Sequence, residues 1–367
     1  MDGPSAMGGI IRAGRRLEHR VRCQYLRRVP PPLLARIDPG VRAMAGLARR
    51  ALAAALYTYQ PLGLWSGACD GRTTTVAIWG GPGDARPWLD LLFDEPPAVR
   101  WLDRCSYRAA GARAAALAAT ADLLVATTTP ALSAGFRRRG FLIAPATARL
   151  AGRPAALLAY QRTAGESLRS DLRRIERSGY RSEIWPYSRE RSALFYDRYL
   201  VPHARLRFSD GAAVPDFDWI DRSFGAGCAL VALPPGGDEP DAMVVVVERG
   251  DVLWVAHLGT RNAAATRGTG GVAALYAFAI RLAHQRGMRL IDLGRSRPWL
   301  RDGVTRFKWK WGFRPVVDPA EALEYAVRVL RDDGPAAHRL AGSRLIVRSG
   351  RCFSIRSASG LVATAVP

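Results

Sequence analysis

The residues with a capacity for chemistry fall within 241–317. His257 closes the run VLWVAHLG (252–259), and an ordinary imidazole titrates in the range suited to taking a proton from an amine. Asp292 lies in MRLIDLG (288–294), where flanking Ile291 and Leu293 predict a buried strand. A buried carboxylate is costly unless paired, so a cation is expected beside it, with Arg295, Arg306 and Lys308 nearest in sequence. Between these two residues lies ATRGTGG (265–271), followed by an amphipathic run from Val272 to about Arg286. N–H groups at a helix start attract anions, so Gly268, Thr269, Gly270 and Gly271, with Arg267 adding charge, form a candidate phosphate cradle. A simple tight turn accounts for the same glycines equally well. Arg295 and Lys308 suit an anionic acceptor, and Trp299 suits its pocket wall, although tryptophans more often pack.

Asp241–Arg249 and Val252–Gly259 read as two strands joined by a turn at Gly250–Asp251. Period-two alternation puts Val255 and His257 on one strand face. Strand, strand, glycine turn, helix, strand is an order that sets a helix N-terminus beside strand ends. Acyl transfer from a thioester needs such a place to hold the donor's pyrophosphate, a group to polarise the carbonyl, and a base for the acceptor amine. Two plainer accounts stand beside the chemical ones. His257 is expected as a hydrogen-bonded core histidine at least as readily as a base, and Asp292 as an ion pair ordering the loop 294–305.

The supporting elements follow in order. Residues 1–60 are basic and helical in pattern, with one amphipathic run at 10–28 ended by Pro30–Pro32 and another at 42–56. From about Arg72 the pattern becomes α/β, with strands at 73–79 and 122–128 and helices at 87–93 and 109–119. SLRSDLRRIERSG (167–179) is a helix with Leu168, Leu172 and Ile175 on one face and Arg169, Arg173, Arg174 and Arg177 on the others, capped by Gly179. Thr163 and Glu166 have capping-box spacing before it. That arginine face is read as solvated before it is read as a phosphate clamp. Residues 321–331 are expected to be helical, and the tail 339–367 peripheral or partly disordered.

The formal net charge of +22 points to anionic partners, yet all basic residues other than Lys308 and Lys310 are arginine. An arginine-rich, Ala- and Gly-rich composition spreads charge without marking a patch. No stretch of about 18 apolar residues lacks charge, so no membrane span is expected, and the N-terminus lacks a secretory core. Cytoplasmic residence is the expectation, with possible association at the inner membrane face. Five scattered cysteines and five isolated histidines suggest neither disulfides nor a metal site.

The segments LRSDLRRIERSG, VLWVAHLG and GGVAALYAFAIRLAHQRGMRLIDLGRSRPWLRDGVTRFKWKWGF together resemble the FemAB-like branch of the GNAT N-acyltransferase superfamily, over about residues 165–317. In that branch a comparable strand ends Asp-Phe/Leu-Gly, as at Asp292–Gly294, and a comparable segment reads Phe-Lys-x-x-(Phe/Trp)-Gly, as at Phe307–Gly312. The resemblance implies an α/β (α+β) fold of two GNAT-like halves, the N-terminal one degenerate, each a mixed sheet flanked by helices. The expected division is 1–60 basic segment, 61–160 supporting domain, 161–332 acyltransferase domain and 333–367 basic tail. It also implies acyl transfer from acyl-CoA to an amine, here of an envelope or polysaccharide precursor. His257 and Asp292 would handle protons, Arg267–Gly271 would hold the donor, and Arg295, Lys308 and Trp299 would hold the acceptor. The usual donor loop begins with Arg or Gln where this chain has Ala265, a departure that weighs against coenzyme A. Two alternatives remain open: a transferase fed by aminoacyl-tRNA, and a decayed scaffold lying on an anionic membrane. No metal and no DNA partner are expected.

Overall fold

The computed structural model describes residues 55, 57–208, 214–262, 266, 268–318, 321–350, 352–357 and 360–365. The basic helix expected at 10–28, all of that expected at 42–56 except Ala55, and Arg267 lie outside the described residues. The chain forms two compact units that are not contiguous in sequence. One takes the residues up to Ala148, Ser296–Arg306 and those from Val317 onward; the other takes Arg149–Arg295 and Phe307–Val316.

The first unit begins with β1 (Tyr59–Cys69) and β2 (Arg72–Trp79), an antiparallel hairpin. Its two-residue turn is Asp70-Gly71, both at positive φ (51° and 72°), the geometry that matches the twist of paired strands. Then come α1 (Pro82–Leu92), β3 (Ala98–Ser106), α2 (Tyr107–Ala112), α3 (Ala114–Leu117), β4 (Leu123–Thr128), α4 (Pro130–Arg137) and β5 (Leu142–Pro145).

The second unit follows with β6 (Ala148–Gly152), α5 (Pro154–Thr163), α6 (Glu166–Ser178) and β7 (Arg181–Pro186). Helix α5 runs through Thr163, so Gly165 rather than Thr163 is the N-cap of α6, and the expected capping box is not formed. Next come α7 (Arg189–Leu194), a π-helical turn (Phe195–Leu200), α8 (Val201–Phe208), α9 (Phe217–Gly225), β8 (Cys228–Leu233), β9 (Ala242–Arg249), β10 (Val252–Thr260), α10 (Gly271–Gln285), β11 (Leu290–Ser296), α11 (Gly303–Lys310) and β12 (Arg314–Val316). The alternation RFKWKW, compatible with strand or helix, is thus helical as far as Lys310.

The sheet of this unit runs β12-β6-β11-β10-β9-β8-β7. Its central strands β8 and β9 are buried on both faces, with successive residues alternating between two cores. Leu230, Ala232, Val244 and Val246 pack with Leu168, Leu275 and Phe278, whereas Ala229, Val231, Met243 and Val245 pack with Phe195, Tyr199, Ile220 and Phe224. Such strands read as near-continuous apolar runs, as MVVVV does.

The remaining chain completes the first unit: β13 (Glu324–Val329), α12 (Pro335–Ser343), β14 (Leu345–Ser349), β15 (Cys352–Ser357) and β16 (Gly360–Ala365). The division at 160/161 and 332/333 is therefore corrected. Strand β13 is inserted between β4 and β5 in a sheet ordered β3-β1-β2-β4-β13-β5, and β14, β15 and β16 form a sheet of their own. Residues 324–329 are strand rather than helix because both faces are needed. Tyr325 and Val327 enter one core and Ala326 the other, and this packing overrides the helix preference of the Glu-Ala-Leu start.

The C-terminal segment is anchored by Asp122, which is fully buried. Its carboxylate accepts from Arg331 Nε at 2.9 Å, from the Thr74 hydroxyl and from the Ala336 N–H at 3.4 Å. Removing one side of such a cluster leaves buried donors unsatisfied, so Asp122→Ala should lower stability by about 3 kcal/mol or more. A urea midpoint equal to the parent's would show that the segment beyond β13 is not held there.

Candidate active site

In the second unit β10 and β11 are joined through α10 and pair in parallel. A parallel crossover returns the helix along the sheet, so the N-terminus of α10 lies toward the carboxyl end of β10. The recorded pairing is Val252 with Leu290, Leu253 with Ile291 and Trp254 with Asp292. Strand β10 continues to Thr260 and β11 to Ser296 without further pairing between them. Where two parallel strands stop pairing before their carboxyl ends, the edge of β10 is left without a strand partner on that side, a setting able to receive an extended ligand.

A bulge changes what β10 presents. Val255 pairs with Val246 and His257 with Val245, leaving Ala256 as the extra residue. The alternation is thereby reversed. Val255 and Leu258 pack against the α10 side, whereas Trp254 and Ala256 pack against the α9 side. His257 goes with the latter, its Nε2 3.4 Å from Ser223 Oγ of α9 and its ring edge-on to Trp254 at 6.0 Å. The expectation that Val255 and His257 share a face is corrected: one inserted residue shifts the period by one. Just beyond, Gly259 admits the backbone of the π-helical turn, since an added Cβ would stand 2.5 Å from the Tyr199 carbonyl carbon.

Burial first, and the Arg249 charge second, push His257 down to about 4, so the imidazole is neutral at neutral pH. Arg249 lies over the Trp254 ring at 3.7 Å. A neutral imidazole has one donor and one acceptor nitrogen. If Nε2–H donates to Ser223, Nδ1 holds the lone pair that receives a proton.

The cradle expected at the glycines is built differently. Gly270 N–H donates to Thr266 O at 3.0 Å, a helical bond to the fourth residue before it, and Gly270 takes φ 84° before α10 starts. Gly270 and Gly271 are buried, the first beneath the Arg174 side chain and the second beneath Thr266 and Tyr180. Ser178 Oγ donates to Thr269 O at 2.7 Å, and the Thr269 hydroxyl meets Tyr180 OH at 2.6 Å. Tyr180 OH in turn donates to Asp241 Oδ2 at 2.8 Å, and burial pushes this phenol up to about 12. The exposed part of the turn is Gly268 and Thr269. The expectation that Gly270 and Gly271 present bare N–H groups is corrected accordingly, because the end of α6 covers them.

Asp292 is buried and its oxygens are committed. Oδ2 receives Arg149 Nε at 2.8 Å and Nη2 at 2.6 Å, and Oδ1 receives the Gly294 N–H at 2.9 Å. A cation was required there, and β6 supplies it rather than Arg295, Arg306 or Lys308. With its acceptors so occupied, Asp292 fixes β11 and is unsuited to carrying protons. Lys308, also buried, donates from Nζ to Leu293 O at 2.7 Å and to Arg295 O at 3.4 Å, so it caps the end of β11. Lys310 meets the Asp171 carboxylate of α6, so helical spacing sends the two lysines to different partners. Arg295 is exposed on the same strand end. Trp299 does not line this site. It is a core residue of the first unit, 5.4 Å from the Trp88 ring. Neither Ser223 nor Arg149 stood out in the sequence, since nothing local marks a serine in a helix or an arginine 143 positions from its carboxylate. Among the described residues no group of His, Cys, Asp and Glu converges as a metal site, and no helix is long and apolar enough to cross a membrane.

No family model matches the chain, and no curated protein matches it. Solved structures do resemble it. L-PGS from Bacillus licheniformis shares 14% identity over 72% of this chain and 83% of that one, with a TM-score of 0.38. FemX shares 11% over 76% and 90%, with a TM-score of 0.38. A tandem GNAT protein from the clavulanic acid biosynthesis pathway shares 16% over 79% and 88%, with a TM-score of 0.30. These likenesses are distant, and no residue role is carried across from them.

Because the folded pKa of His257 lies below its unfolded value, its contribution to stability is complete above pH 6.5 and is lost as pH falls toward 4. That loss should amount to about 3 kcal/mol at most and be absent from His257→Phe. Urea melts of both proteins across this window measure the difference. Parallel pH profiles would mean that the ring is not held neutral.

Proposed function

We propose that the second unit is an N-acyltransferase, moving an acyl group to an amine at the parting of β10 and β11. The observation that carries this is the end of β10–β11 pairing at Trp254 and Asp292, with neutral His257 just beyond it on the bulge. The acyl carbonyl would lie along the unpaired edge of β10, where backbone N–H groups can polarise it. His257 would accept the proton released as the amine attacks. The bond between the acyl carbon and the donor would then break, releasing the thiolate of coenzyme A or the tRNA hydroxyl oxygen, to which a proton returns. The low basicity of His257 suits a proton lost late, from the tetrahedral adduct, better than one drawn from a free ammonium.

For the donor we favour acyl-CoA. Its phosphates would meet the exposed turn at Gly268 and Thr269, with Arg174 of α6 alongside. The second donor, aminoacyl-tRNA, is favoured by one observation: the buried Gly270 and Gly271 leave α10 without the open N-terminus a pyrophosphate would use. The acceptor remains an amine of an envelope or polysaccharide precursor, with exposed Arg295 near its anionic part.

Calorimetry with acetyl-CoA, longer acyl-CoAs and charged tRNA separates the donors. Gly268→Asp is well placed, because an added side chain there meets open space. It should weaken donor binding at least about tenfold by setting a carboxylate against phosphate. Binding equal to the parent's would remove the turn from the donor site. With the donor identified, His257→Ala should lower kcat by about 100-fold or more. An unchanged kcat would show that the imidazole takes no part.

A further inference from the structure

We propose that the β3 edge of the first unit is a docking surface for an anionic lipid bilayer. Strand β3 is the outermost strand of its sheet and, among the described residues, pairs only with β1. Every residue from Ala98 to Arg104 is exposed, so neither face of this stretch is covered. Three of the chain's exposed large apolar residues lie there, Val99, Trp101 and Leu102 at 40–41% exposure, and Tyr59 of β1 adds a fourth at 53%. Solvated edge strands are ordinarily polar and charged, so this cluster is out of place on a surface that meets only water.

Its geometry suits a lipid interface. A register shift opposite Leu62 and Gly63 makes Leu102 the extra residue of β3, so Trp101 and Leu102 are not constrained to simple alternation. Trp101 is already ordered. Its ring lies over Gly63, where a Cβ would stand 3.0 Å from it, and meets Trp65 edge-on at 5.7 Å. Insertion would therefore cost little side-chain entropy.

Charge surrounds the apolar cluster. Arg100, Arg104 and Arg108 are exposed, Arg104 lying over the Tyr59 ring at 5.7 Å and Arg108 over Tyr107 at 5.8 Å. The one acid of the strand, Asp103, is neutralised by a two-pronged pair with Arg113 at 2.5 and 2.9 Å. The edge is thus basic with aromatic and aliphatic side chains between the guanidiniums, the combination that seats indole and phenol at the headgroup level and arginine against phosphate. A second copy of the strand fits poorly. Antiparallel pairing about Leu102 would set Arg100 opposite Arg104 of the other copy. A nucleic-acid backbone would give Val99 and Leu102 nothing to bury against.

The test uses the full chain and vesicles of phosphatidylcholine with or without phosphatidylglycerol. The parent should sediment with the anionic vesicles and not with the neutral ones. Trp101→Ser/Leu102→Ser and Arg100→Ser/Arg104→Ser should each weaken that partition about tenfold or more while keeping the parent's circular dichroism and melting temperature. A parent that ignores both vesicles overturns the proposal, as do double variants that bind like the parent, which would place contact elsewhere in this basic chain. A dimer in light scattering that dissociates in Trp101→Ser/Leu102→Ser also overturns it, assigning the edge to contact between copies. Tighter retention on RNA, lost in both variants, assigns it to nucleic acid and overturns it equally.

Discussion

The second unit depends on one ion pair, between the buried Asp292 and the half-buried Arg149. Strand β11 must stay in the sheet after its hydrogen bonding to β10 has stopped, and Arg149 from β6 holds it there through Asp292. The Gly294 N–H takes the other carboxylate oxygen, and Lys308 gathers the carbonyls of Leu293 and Arg295 that a neighbouring strand would otherwise have used. Buried charges are expensive, and a pair such as Arg149–Asp292 adds less net stability than its Coulomb energy suggests. Its value lies in position. A strand end that no longer pairs on one side is held by polar contacts of its own.

The same logic governs the opposite strand. In β10 the extra residue Ala256 turns His257 onto the α9 layer, and Gly259 lets the π-helical turn lie directly on the strand. Both are local departures from regular geometry, and both lie next to the break in pairing. Bulges and π-turns give up regular hydrogen bonding and persist where the surrounding packing fixes them, here Phe195, Tyr199 and Phe224.

Much of this was legible in the residues. The strand–turn–strand–helix–strand order of 241–294 and the αL cap at Gly179 follow from alternation, glycine placement and helical spacing, and they stand as expected. The hairpin of β1 and β2 carries its own signal, Asp70-Gly71 between two β-rich runs, but the reading of 73–79 as the first strand passes over it. What could not be read was set by distant partners. The bulge at Ala256 depends on β9, the cation for Asp292 comes from β6, and Tyr180 reaches α10 from the end of α6. Strand β13 shows the same limit, since EYAVRV becomes a strand only because β4 and β5 are there to receive it.

The insertion of β13 between β4 and β5 has a consequence for how the protein is made. A ribosome delivers β1 to β5 early, yet the sheet they belong to cannot close until residues 324–329 emerge, after nearly all of the second unit has been synthesised. The first part of the chain must therefore wait with β4 and β5 unjoined and their apolar faces uncovered. The unit that begins later is the one that can finish first.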